Sequence, residues 1–325
     1  MGVRILGIGR YVPEKVLTNF DLEKMVETSD KWIRERTGIV ERRIAAPDEA
    51  TSDLAYKAAL DALNRAGVSP DQLDVVFVAS ASPDMLFPAT GCLVQAKLGA
   101  EKAACFDIEA ACPGFVYGLE LARGFLSLPH YKYVLVIGAE TLSRLIDWSD
   151  RNTCVLFGDG AGAAVLTMDD SEHGIIASYL GGNGKIGDLL KLPAGCARMP
   201  ATHETVENRQ HFIKMQGREV FKHAVLGMQH SAIKVLERAG IAPEEIDWLV
   251  PHQANIRIIE ATRERLGIPK EKVYVNIDRY GNTSSASIPI ALAEMDEKGL
   301  LKSGQLVLTV AFGAGFIFGA NLIRW

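Results

Sequence analysis

The stretches ALNRAGVSPDQLDVVFV (62–78) and VLERAGIAPEEIDWLV (235–250) share one pattern, and this pattern decides the fold. In each stretch an amphipathic helix ends at a glycine, a turn containing proline follows, and an apolar strand begins. The residues that recur in register are Arg65 and Arg238, Gly67 and Gly240, Pro70 and Pro243, and Asp74 and Asp247. Because a match over a whole helix–turn–strand unit indicates an internal repeat, the sequence predicts two similar α/β halves.

A weaker match extends the duplication to two loops. The segment FDIEAACPG (106–114) aligns with NIDRYGNTS (276–284), and the alignment places Cys112 opposite Asn282. In both segments we predict a short strand that runs into a tight loop and then into a helical stretch. Two halves related by a pseudo-twofold axis would bring these loops together in space.

Further strands are predicted from continuous apolar runs at residues 75–80, 133–139, 163–168, 247–251 and 306–312. Continuous apolar strands are typical of sheets covered on both faces, so we predict an α/β fold with buried sheets. We place the N-terminal half at residues 1–172 and the C-terminal half at residues 173–325. Part of residues 170–210 is rich in glycine and charged residues and shows little hydrophobic periodicity. We predict that it forms a long loop outside the sheets, and long loops in compact enzymes often cover a site.

Composition and charge exclude several classes of protein. The 325 residues carry a net charge of −5 with no long run of one sign, so we expect no nucleic-acid partner. The five cysteines include no CxxC pair, which argues against a zinc site or a disulfide framework and fits a reducing compartment. Residues 306–323 carry no charge, but their glycines favour two buried strands around a turn over a membrane span.

Cys112 is the candidate nucleophile. The apolar spacing of residues 115–128 predicts a helix, and Pro113 favours its first turn, so Cys112 lies near the helix N-terminus. Such a position stabilises a thiolate by about 0.3–1 kcal/mol, at most about 2, which lowers the pKa by roughly one unit. Efficient activation therefore needs a histidine partner as well. For the other cysteines we predict the commoner role of structural residues, at Cys92, Cys105, Cys154 and Cys196.

His252 and Asn282 are the candidate partners of the thiol. His252 follows an apolar strand in PHQAN (251–255), where a strand end can face a crevice. Asn282 lies in RYGNTSSASIP (279–289), a pattern that by itself indicates only a turn and a helix cap. Each residue alone would more often be structural. The repeat changes this expectation, because it places the Asn282 loop opposite the Cys112 loop.

Two glycine-rich segments and one basic segment complete the candidates. FGDGAGAAV (157–165) lacks the GxGxxG spacing of a dinucleotide site and predicts a buried hairpin with close backbone approach. AFGAG (311–315) could present backbone N–H groups to an anion. In SDKWIRERTGIVERR (29–43), an exposed Trp32 near arginines could stack on an adenine, although a solvated helix face is the default.

Together these motifs resemble the β-ketoacyl-acyl carrier protein synthase III family of thiolase-fold condensing enzymes. The resemblance runs nearly end to end and rests on GIGRYVPE, WIRERTGIVERR, EAACPGF, FGDGAGAAVL, PHQANIRI, NIDRYGNTSSASIP and AFGAGF. Each motif is weak alone, whereas the set is highly specific. It implies a thiolase-like five-layered αβαβα fold from two duplicated halves, a homodimer, and an enzyme that initiates type II fatty acid synthesis. We expect a cytoplasmic location.

The resemblance also implies catalytic roles. Cys112 takes a short acyl group, with acetyl expected, from coenzyme A as a thioester. Malonyl-acyl carrier protein then loses CO2, and the resulting enolate attacks that thioester. His252 and Asn282 donate hydrogen bonds to the malonyl thioester oxygen as negative charge grows there, which lowers the barrier. The backbone N–H groups of Cys112 and Ala314 hold the oxyanion of acyl transfer. Related enzymes often carry glycine where Ala314 stands, and a positive φ there would cost alanine about 1–2 kcal/mol.

Binding residues follow from the same resemblance. It assigns residues to coenzyme A (Trp32, Arg36, Arg151 and Asn255), to docking of the carrier protein (Arg257 and Lys222) and to the acyl pocket (Phe87 and Phe312). Phe87 is similar to a residue that crosses the dimer interface, and a large ring there favours a short primer. The resemblance implies neither a metal nor a cofactor, since the coenzyme A thioester is a substrate. The expected partners are acyl-CoA, malonyl-acyl carrier protein and a second copy of the chain, with no membrane.

Three other functions stay open at this point. A relative with the same fold could transfer an acyl group to a hydroxyl or an amine without forming a carbon–carbon bond. A papain-type hydrolase also uses Cys, His and Asn, but its CGSCW-type context is missing and the duplication would be unexplained. A binding protein that has kept the fold without catalysis would lose no activity when Cys112 is replaced. Primer length and branching are left open by the sequence.

Overall fold

The computed structural model describes residues 2–325 and contains two main sheets, one from each half of the chain. The strands of the first half are β1 (Gly2–Tyr11), β2 (Lys15–Thr18), β3 (Glu41–Ile44), β4 (Val75–Ala79), β5 (Ala104–Ile108), β6 (Val134–Thr141) and β7 (Asp159–Asp169). Its helices are α1 (Asn19–Leu22), α2 (Asp30–Thr37), α3 (Thr51–Ala66), α4 (Thr90–Leu98), α5 (Gly114–Leu126) and α6 (Arg151–Cys154).

The second half repeats this alternation of strands and helices. Its strands are β8 (Gly174–Gly182), β9 (Leu190–Lys191), β10 (Lys214–Met215), β11 (Trp248–Pro251), β12 (Leu306–Gly313) and β13 (Ile317–Arg324). Its helices are α7 (His203–Glu207), α8 (Gly217–Ala239), α9 (Ile256–Leu266), α10 (Ile277–Tyr280) and α11 (Ser287–Glu297).

The two main sheets mix parallel and antiparallel strands. The first has the order β1-β7-β6-β4-β5, with β4 parallel to both of its neighbours and β7 antiparallel to both of its own. The second has the order β11-β12-β13-β8, with only β11 and β12 parallel. The sheets divide at the loop between Asp169 and Gly174, which contains the predicted boundary. That the two halves are separate domains stays a prediction.

The repeat seen in the sequence is a repeat in the structure. Helix α3 ends at Gly67 and α8 ends at Gly240, with φ of 64° and 66°. This left-handed conformation is the usual C-terminal cap of a helix, and glycine adopts it without the steric cost of a Cβ. A short 3-10 turn beginning with proline then leads into β4 in one half and into β11 in the other. The predicted duplication is confirmed.

The helices and sheets form five layers. Helices α3 and α4 cover one face of the first sheet, α5 and α11 lie between the sheets, and α8 and α9 cover the far face of the second sheet. Phe115 and Leu119 of α5 and Leu292 of α11 are fully buried in the middle layer. Each such side chain contributes about 1.5–3 kcal/mol by leaving water. This arrangement fixes the N-terminus of α5, where Cys112 lies.

Two predictions about local structure are wrong. The segment predicted as a hairpin forms the single strand β7, which lies between β1 and β6. Its glycines serve helix packing, because a methyl group at Gly162 would lie 2.7 Å from Pro289 Cβ. The short strand predicted at the start of residues 276–284 is also absent, since residues 277–280 form α10. Isolated bridges pair Val273 with Leu249, just before the segment, and Asn282 with Phe157, near its end. The sequence analysis does not predict strands β1, β2, β3, β8, β9 and β10.

The charge-free stretch near the C-terminus forms the antiparallel pair β12 and β13, as predicted. The turn between them follows Gly313 and includes Gly315, which has a φ of 131°. None of the helices within residues 2–325 is both long and apolar enough to span a membrane.

Candidate active site

Cys112, His252 and Asn282 line one cavity of 530 Å³. Cys112 lies in the loop after β5, His252 follows β11, and Asn282 lies in the loop between α10 and α11. The prediction that the duplicated loops meet is therefore confirmed. The cavity walls are mainly apolar and include Val155, Leu156, Phe157, Val220, Phe221, Ile258 and Phe312. A cavity of this size with few polar groups suits an acyl chain and a thioester.

The Cys112 loop is held tightly against the end of β12. Pro113 is the N-cap of α5, so the sulfur lies at the N-terminus of a 13-residue helix, as predicted. Ala111 has a φ of 39°, a left-handed conformation that is strained for alanine. A methyl group at Gly313 would lie 2.6 Å from Pro113 Cδ and 2.8 Å from Cys112 N. Glycine is required at position 313 because the strand and the loop touch there.

The Cys112 thiol is protonated in the resting site. Burial raises its pKa to about 12, and the carboxyl groups of Glu140 and Glu109 add to this effect. The Ser284 hydroxyl and the backbone N–H of Cys112 lower the pKa. Since a helix N-terminus offsets only about one pKa unit, acylation must remove a proton from the sulfur.

His252 is a neutral hydrogen-bond donor. Burial lowers the pKa of its imidazole to about 3, so the ring carries no charge near pH 7. Its Nδ1 lies 2.7 Å from Ser287 Oγ, and this hydroxyl accepts a hydrogen bond from the Gln253 N–H. The Ser287 proton is then available to Nδ1, which places the ring proton on Nε2. Nε2 is buried without a partner among the described residues, and the residue lines the cavity.

Asn282 supplies a second N–H donor. Its Oδ1 accepts a hydrogen bond from the Ser284 N–H at 2.8 Å, which fixes the orientation of the amide. Its backbone is tied to the segment before β7 by the bonds Asn282 N to Leu156 O (2.9 Å) and Gly158 N to Asn282 O (3.0 Å). The Nδ2 group remains available to a ligand in the cavity. His252 and Asn282 can therefore both donate to one oxygen on which negative charge develops.

The mouth of the cavity contains a tryptophan whose ring lies beside two arginines. The guanidinium carbons of Arg36 and Arg151 lie 5.4 Å and 5.0 Å from the centre of the Trp32 ring. Trp32 and Arg36 line the main cavity, whereas Arg151 borders a neighbouring depression and donates to Glu27 O at 2.9 Å. A planar ligand that inserts between the Trp32 ring and Arg151 therefore requires the guanidinium to move away from the ring.

Two of the other residues assigned by resemblance lie at this mouth. Asn255 caps α9, and its Nδ2 donates to Arg36 O at 3.0 Å, which joins α9 to α2. Arg257 also lines the cavity, with its guanidinium 5.7 Å from the centre of the Phe221 ring. Lys222 is exposed on α8 and is not part of the cavity wall.

The remaining assigned residues divide into one inside the cavity and two outside it. Phe312 lines the cavity, with its ring centre 5.9 Å from that of His252. Ala314 does not have a positive φ, so the strain considered for alanine does not arise. Its role in binding an oxyanion stays a prediction. Phe87 is 83% exposed on the loop between β4 and α4 and does not line the cavity of its own chain.

The structure adds residues that the sequence reasoning missed. Ser287 orients His252, Gly313 supports the Cys112 loop, and Arg218 lines the cavity mouth. Ser284 and the buried Glu140 are among the groups that shift the pKa of the thiol. Ser284 and Ser287 lie in the quoted segment GNTSSASIP, but only the three-dimensional contacts distinguish them from ordinary turn residues.

A half-buried thiol at a helix N-terminus, opposite two neutral N–H donors on a duplicated five-layered fold, defines the class of thiolase-fold condensing enzymes. Two family models match the chain: 3-oxoacyl-[acyl-carrier-protein (ACP)] synthase III over residues 106–184, and the C-terminal part of that family over residues 236–325. A curated beta-ketoacyl-[acyl-carrier-protein] synthase III from Caldanaerobacter subterraneus subsp. tengcongensis is 60% identical, covering 99% of this chain and 97% of its own.

Solved structures agree with these matches. The crystal structure of 3-oxoacyl-[acyl-carrier-protein] synthase III from Aquifex aeolicus is 50% identical, with a TM-score of 0.92 and full coverage of both chains. The Thermus thermophilus structure is 47% identical, with the same TM-score and 99% of both chains covered. The chain belongs to the 3-oxoacyl-[acyl-carrier-protein] synthase III family, and it is a condensing enzyme of the acyltransferase class.

Proposed function

We propose that Cys112 takes a short acyl group, with acetyl preferred, from coenzyme A, and that this acyl-enzyme condenses with malonyl-acyl carrier protein. The reaction initiates type II fatty acid synthesis. The observation that carries the proposal is the convergence of Cys112, His252 and Asn282 in one cavity. The thioester forms on Cys112, while the two N–H donors face the oxygen of the malonyl thioester. Loss of CO2 leaves an enolate on that side of the cavity, and the enolate attacks the Cys112 thioester.

The polar mouth supports the assignment of the coenzyme and carrier sites. In the proposed complex Trp32 and Arg151 enclose the adenine, Arg36 assists nearby, and Asn255 lies along the pantetheine path. Arg257 and the exposed Lys222 are cations near the rim that suit an acidic carrier protein. No resident cofactor is part of the proposal, because the thioester chemistry needs only the cysteine and the hydrogen-bond donors.

We also propose that the enzyme is a cytoplasmic homodimer. β5 is an edge strand of the first sheet, and the nearby loop exposes the consecutive apolar residues Met85, Leu86 and Phe87. An unpaired edge beside an exposed apolar loop favours a partner chain. In the dimer Phe87 of each chain would close the acyl pocket of the other. Light scattering after gel filtration tests this: Phe87→Glu should shift the mass toward the monomer, and a wild-type monomer would refute it.

The acylation step is tested by incubating the enzyme with acyl-CoA primers of increasing length and weighing the intact protein. We expect one added acyl group on the peptide that contains Cys112, with the fastest loading for acetyl. Absence of any adduct on Cys112 would contradict the proposal. CO2 release from malonyl-acyl carrier protein then distinguishes condensation from simple acyl transfer. If the acyl-enzyme forms but no CO2 is released from the malonyl group, the enzyme transfers its acyl group to a hydroxyl or an amine instead.

A further inference from the structure

The residue that follows His252 in the chain is a buried glutamine whose side chain makes three hydrogen bonds. Gln253 does not line the cavity. Its Nε2 donates to Pro251 O at 2.8 Å and to Tyr274 O at 3.2 Å, and its Oε1 accepts from the Asn276 N–H at 3.0 Å. Both amide protons and the carbonyl oxygen therefore have partners. The side chain connects the end of β11 to the segment that precedes α10.

That segment, residues 274–276, leads directly into the loop of the second donor. It is followed by α10 and then by Asn282, so the Gln253 side chain holds one end of the stretch that carries this amide. His252 is attached to Gln253 by a peptide bond, and the Gln253 N–H donates to Ser287 Oγ at 3.4 Å. The same hydroxyl lies 2.7 Å from His252 Nδ1. One glutamine thus contacts both segments from which the two N–H donors project.

A buried acid on α11 fixes the same segment from another side. Glu294 Oε2 accepts from Asn276 Nδ2 at 3.0 Å. Its Oε1 accepts from Arg279 of α10 and from Lys298 Nζ at 2.7 Å. Lys298 also donates to Tyr274 OH at 3.0 Å. Burial alone would raise the pKa of Glu294, but these hydrogen bonds lower it to about 2, so the carboxylate is charged near pH 7.

These hydrogen bonds close into a ring that joins β11, α10 and α11. Its members are Gln253, Tyr274, Lys298, Glu294 and Asn276. Gln253, Asn276 and Glu294 are at most 2% exposed. If β11 and α10 shift relative to each other, a buried polar group loses its partner and water cannot replace it. The ring therefore resists relative movement of the segments that carry His252 and Asn282.

We propose that Gln253 and Glu294 are positioning residues that set the spacing between the N–H donors of His252 and Asn282. Both donors must reach one oxygen to stabilise the enolate, so their separation matters as much as their presence. A misplacement of about 1 Å can cost about 100-fold in rate. The ring contains no residue of the Cys112 loop, so it serves CO2 release and not acylation. The proposal rests on the proposed function and adds the residues on which its second step depends.

Two substitutions open the ring at different points. Gln253→Met keeps the length of the side chain and removes all of its polar atoms. Glu294→Gln keeps the shape of the side chain and an acceptor for Asn276, but it removes the charge that pairs with Arg279 and Lys298. Neither substitution changes a residue that lines the cavity.

A glutamine on α4 offers a matched control. Gln95 is half-buried, and its Nε2 donates to Ala100 O at 3.0 Å, a backbone oxygen like those that Gln253 binds. It does not line the cavity. Gln95→Met therefore removes the same chemical group without touching the ring.

The test measures both half-reactions of each variant at pH 7. Acylation by acetyl-CoA is followed by rapid quench and intact mass, and CO2 release is followed with labelled malonyl-acyl carrier protein. We expect Gln253→Met and Glu294→Gln to lower kcat for CO2 release about 10- to 100-fold. KM for the carrier substrate should stay within about 3-fold, because the lost interaction is made only in the transition state. Acylation by these variants, and both half-reactions of Gln95→Met, should stay within about 2-fold of wild type.

The outcomes separate this proposal from the proposed function. If wild type forms no acyl-enzyme or releases no CO2, the proposed function fails. If wild type performs both steps, the positioning role alone is overturned by variants that release CO2 as fast as wild type, or that change only KM. It is also overturned if both half-reactions fall by the same factor, which is the result of losing folded protein, or if Gln95→Met slows CO2 release as much. Glu294→Gln decides alone if Gln253→Met does not fold.

Discussion

The two halves of the chain bring equivalent loops to one cavity and use them for different chemistry. In the first half the loop passes from Cys112 through Pro113 directly into α5, so the helix N-terminus points at the sulfur. In the second half Asn282 is followed by a 3-10 turn at residues 284–286 before α11 begins. The first arrangement favours a developing anion on the protein, and the second offers neutral N–H groups to an anion on the substrate.

Both loops also contain one non-glycine residue in a left-handed conformation. Ala111 precedes Cys112 with a φ of 39°, and Ser284 lies two residues after Asn282 with a φ of 49°. Each conformation costs roughly 1–2 kcal/mol, which the surrounding contacts must offset. A strained backbone position therefore lies close to the functional side chain in both halves, which is a thiol in one and an amide in the other.

The largest expected effect comes from removing the thiol of Cys112, the functional side chain of the first half. Cys112→Ala should abolish acyl-enzyme formation and lower condensation by about 10⁴-fold or more, since within residues 2–325 no other cysteine and no serine lines the cavity. CO2 release from malonyl-acyl carrier protein should stay within about 10-fold, because His252 and Asn282 remain. Cys196→Ala, at an exposed cysteine, is the control and should retain both activities.

Removing an N–H donor of the second half should impair CO2 release more than acylation, which is the reverse of the Cys112→Ala result. His252→Ala or Asn282→Ala should slow CO2 release by roughly 10²–10³-fold, corresponding to about 2.7–4 kcal/mol. Acylation of Cys112 should change much less. His230→Ala, which removes a surface imidazole bonded to Tyr179, serves as the control. If Asn282→Ala slowed acylation of Cys112 and CO2 release by the same factor, the two loops would not have separate functions.

A methyl group at the contact between β12 and the Cys112 loop should slow acylation of Cys112 more than it slows CO2 release. Gly313→Ala should lower the acylation rate about 10- to 100-fold by displacing Cys112, and should destabilise the fold by about 1–3 kcal/mol. Gly124→Ala on α5, with no atom within 4 Å of the added methyl, should stabilise the fold by about 0.5–1 kcal/mol. Thermal unfolding and acylation kinetics check both variants.

The smallest expected effect is a pH dependence that His252 imposes on stability. The pKa of the buried ring is about 3, whereas an unfolded histidine titrates near about 6.5. Between these values the unfolded chain binds the extra proton, so the free energy of unfolding should fall as pH drops below about 6.5. His252→Gln should reduce this slope, as measured by denaturant titration at pH 5 and pH 7. An unchanged slope would show that the imidazole is not buried in the neutral form.

The sequence predicted most of the fold because the decisive features are local. The glycine caps at Gly67 and Gly240 and the apolar runs of β4, β6 and β12 are visible in short windows. The hairpin predicted for FGDGAGAAV was wrong because the glycines of β7 serve packing against α11, a contact between residues far apart in the chain. The strand β1 was missed because its residues form part of a sheet only through their long-range pairing with β7.

The site could be predicted only as far as the repeat and the family resemblance reached. They paired Cys112 with Asn282 and added His252, and all three line the cavity. The burial of Glu140 could not be predicted, because nothing in VLVIGAE distinguishes a fully buried acid from a half-exposed one at the end of an apolar strand. The contact of Gly313 with the Cys112 loop likewise depends on the docking of the two halves.

The central claim is that the Cys112 loop carries the acyl group and the Asn282 loop promotes condensation. It is tested most directly by a chase experiment with isolated acyl-enzyme. Cys112 is loaded with radiolabelled acetyl-CoA, excess coenzyme is removed, and malonyl-acyl carrier protein is added to wild type and to Asn282→Ala. Wild type should pass the label within one turnover to a β-ketoacyl product on the carrier, while Asn282→Ala should keep it on Cys112. Equal transfer by both proteins, or release of the label as free acetate from wild type, would contradict the account.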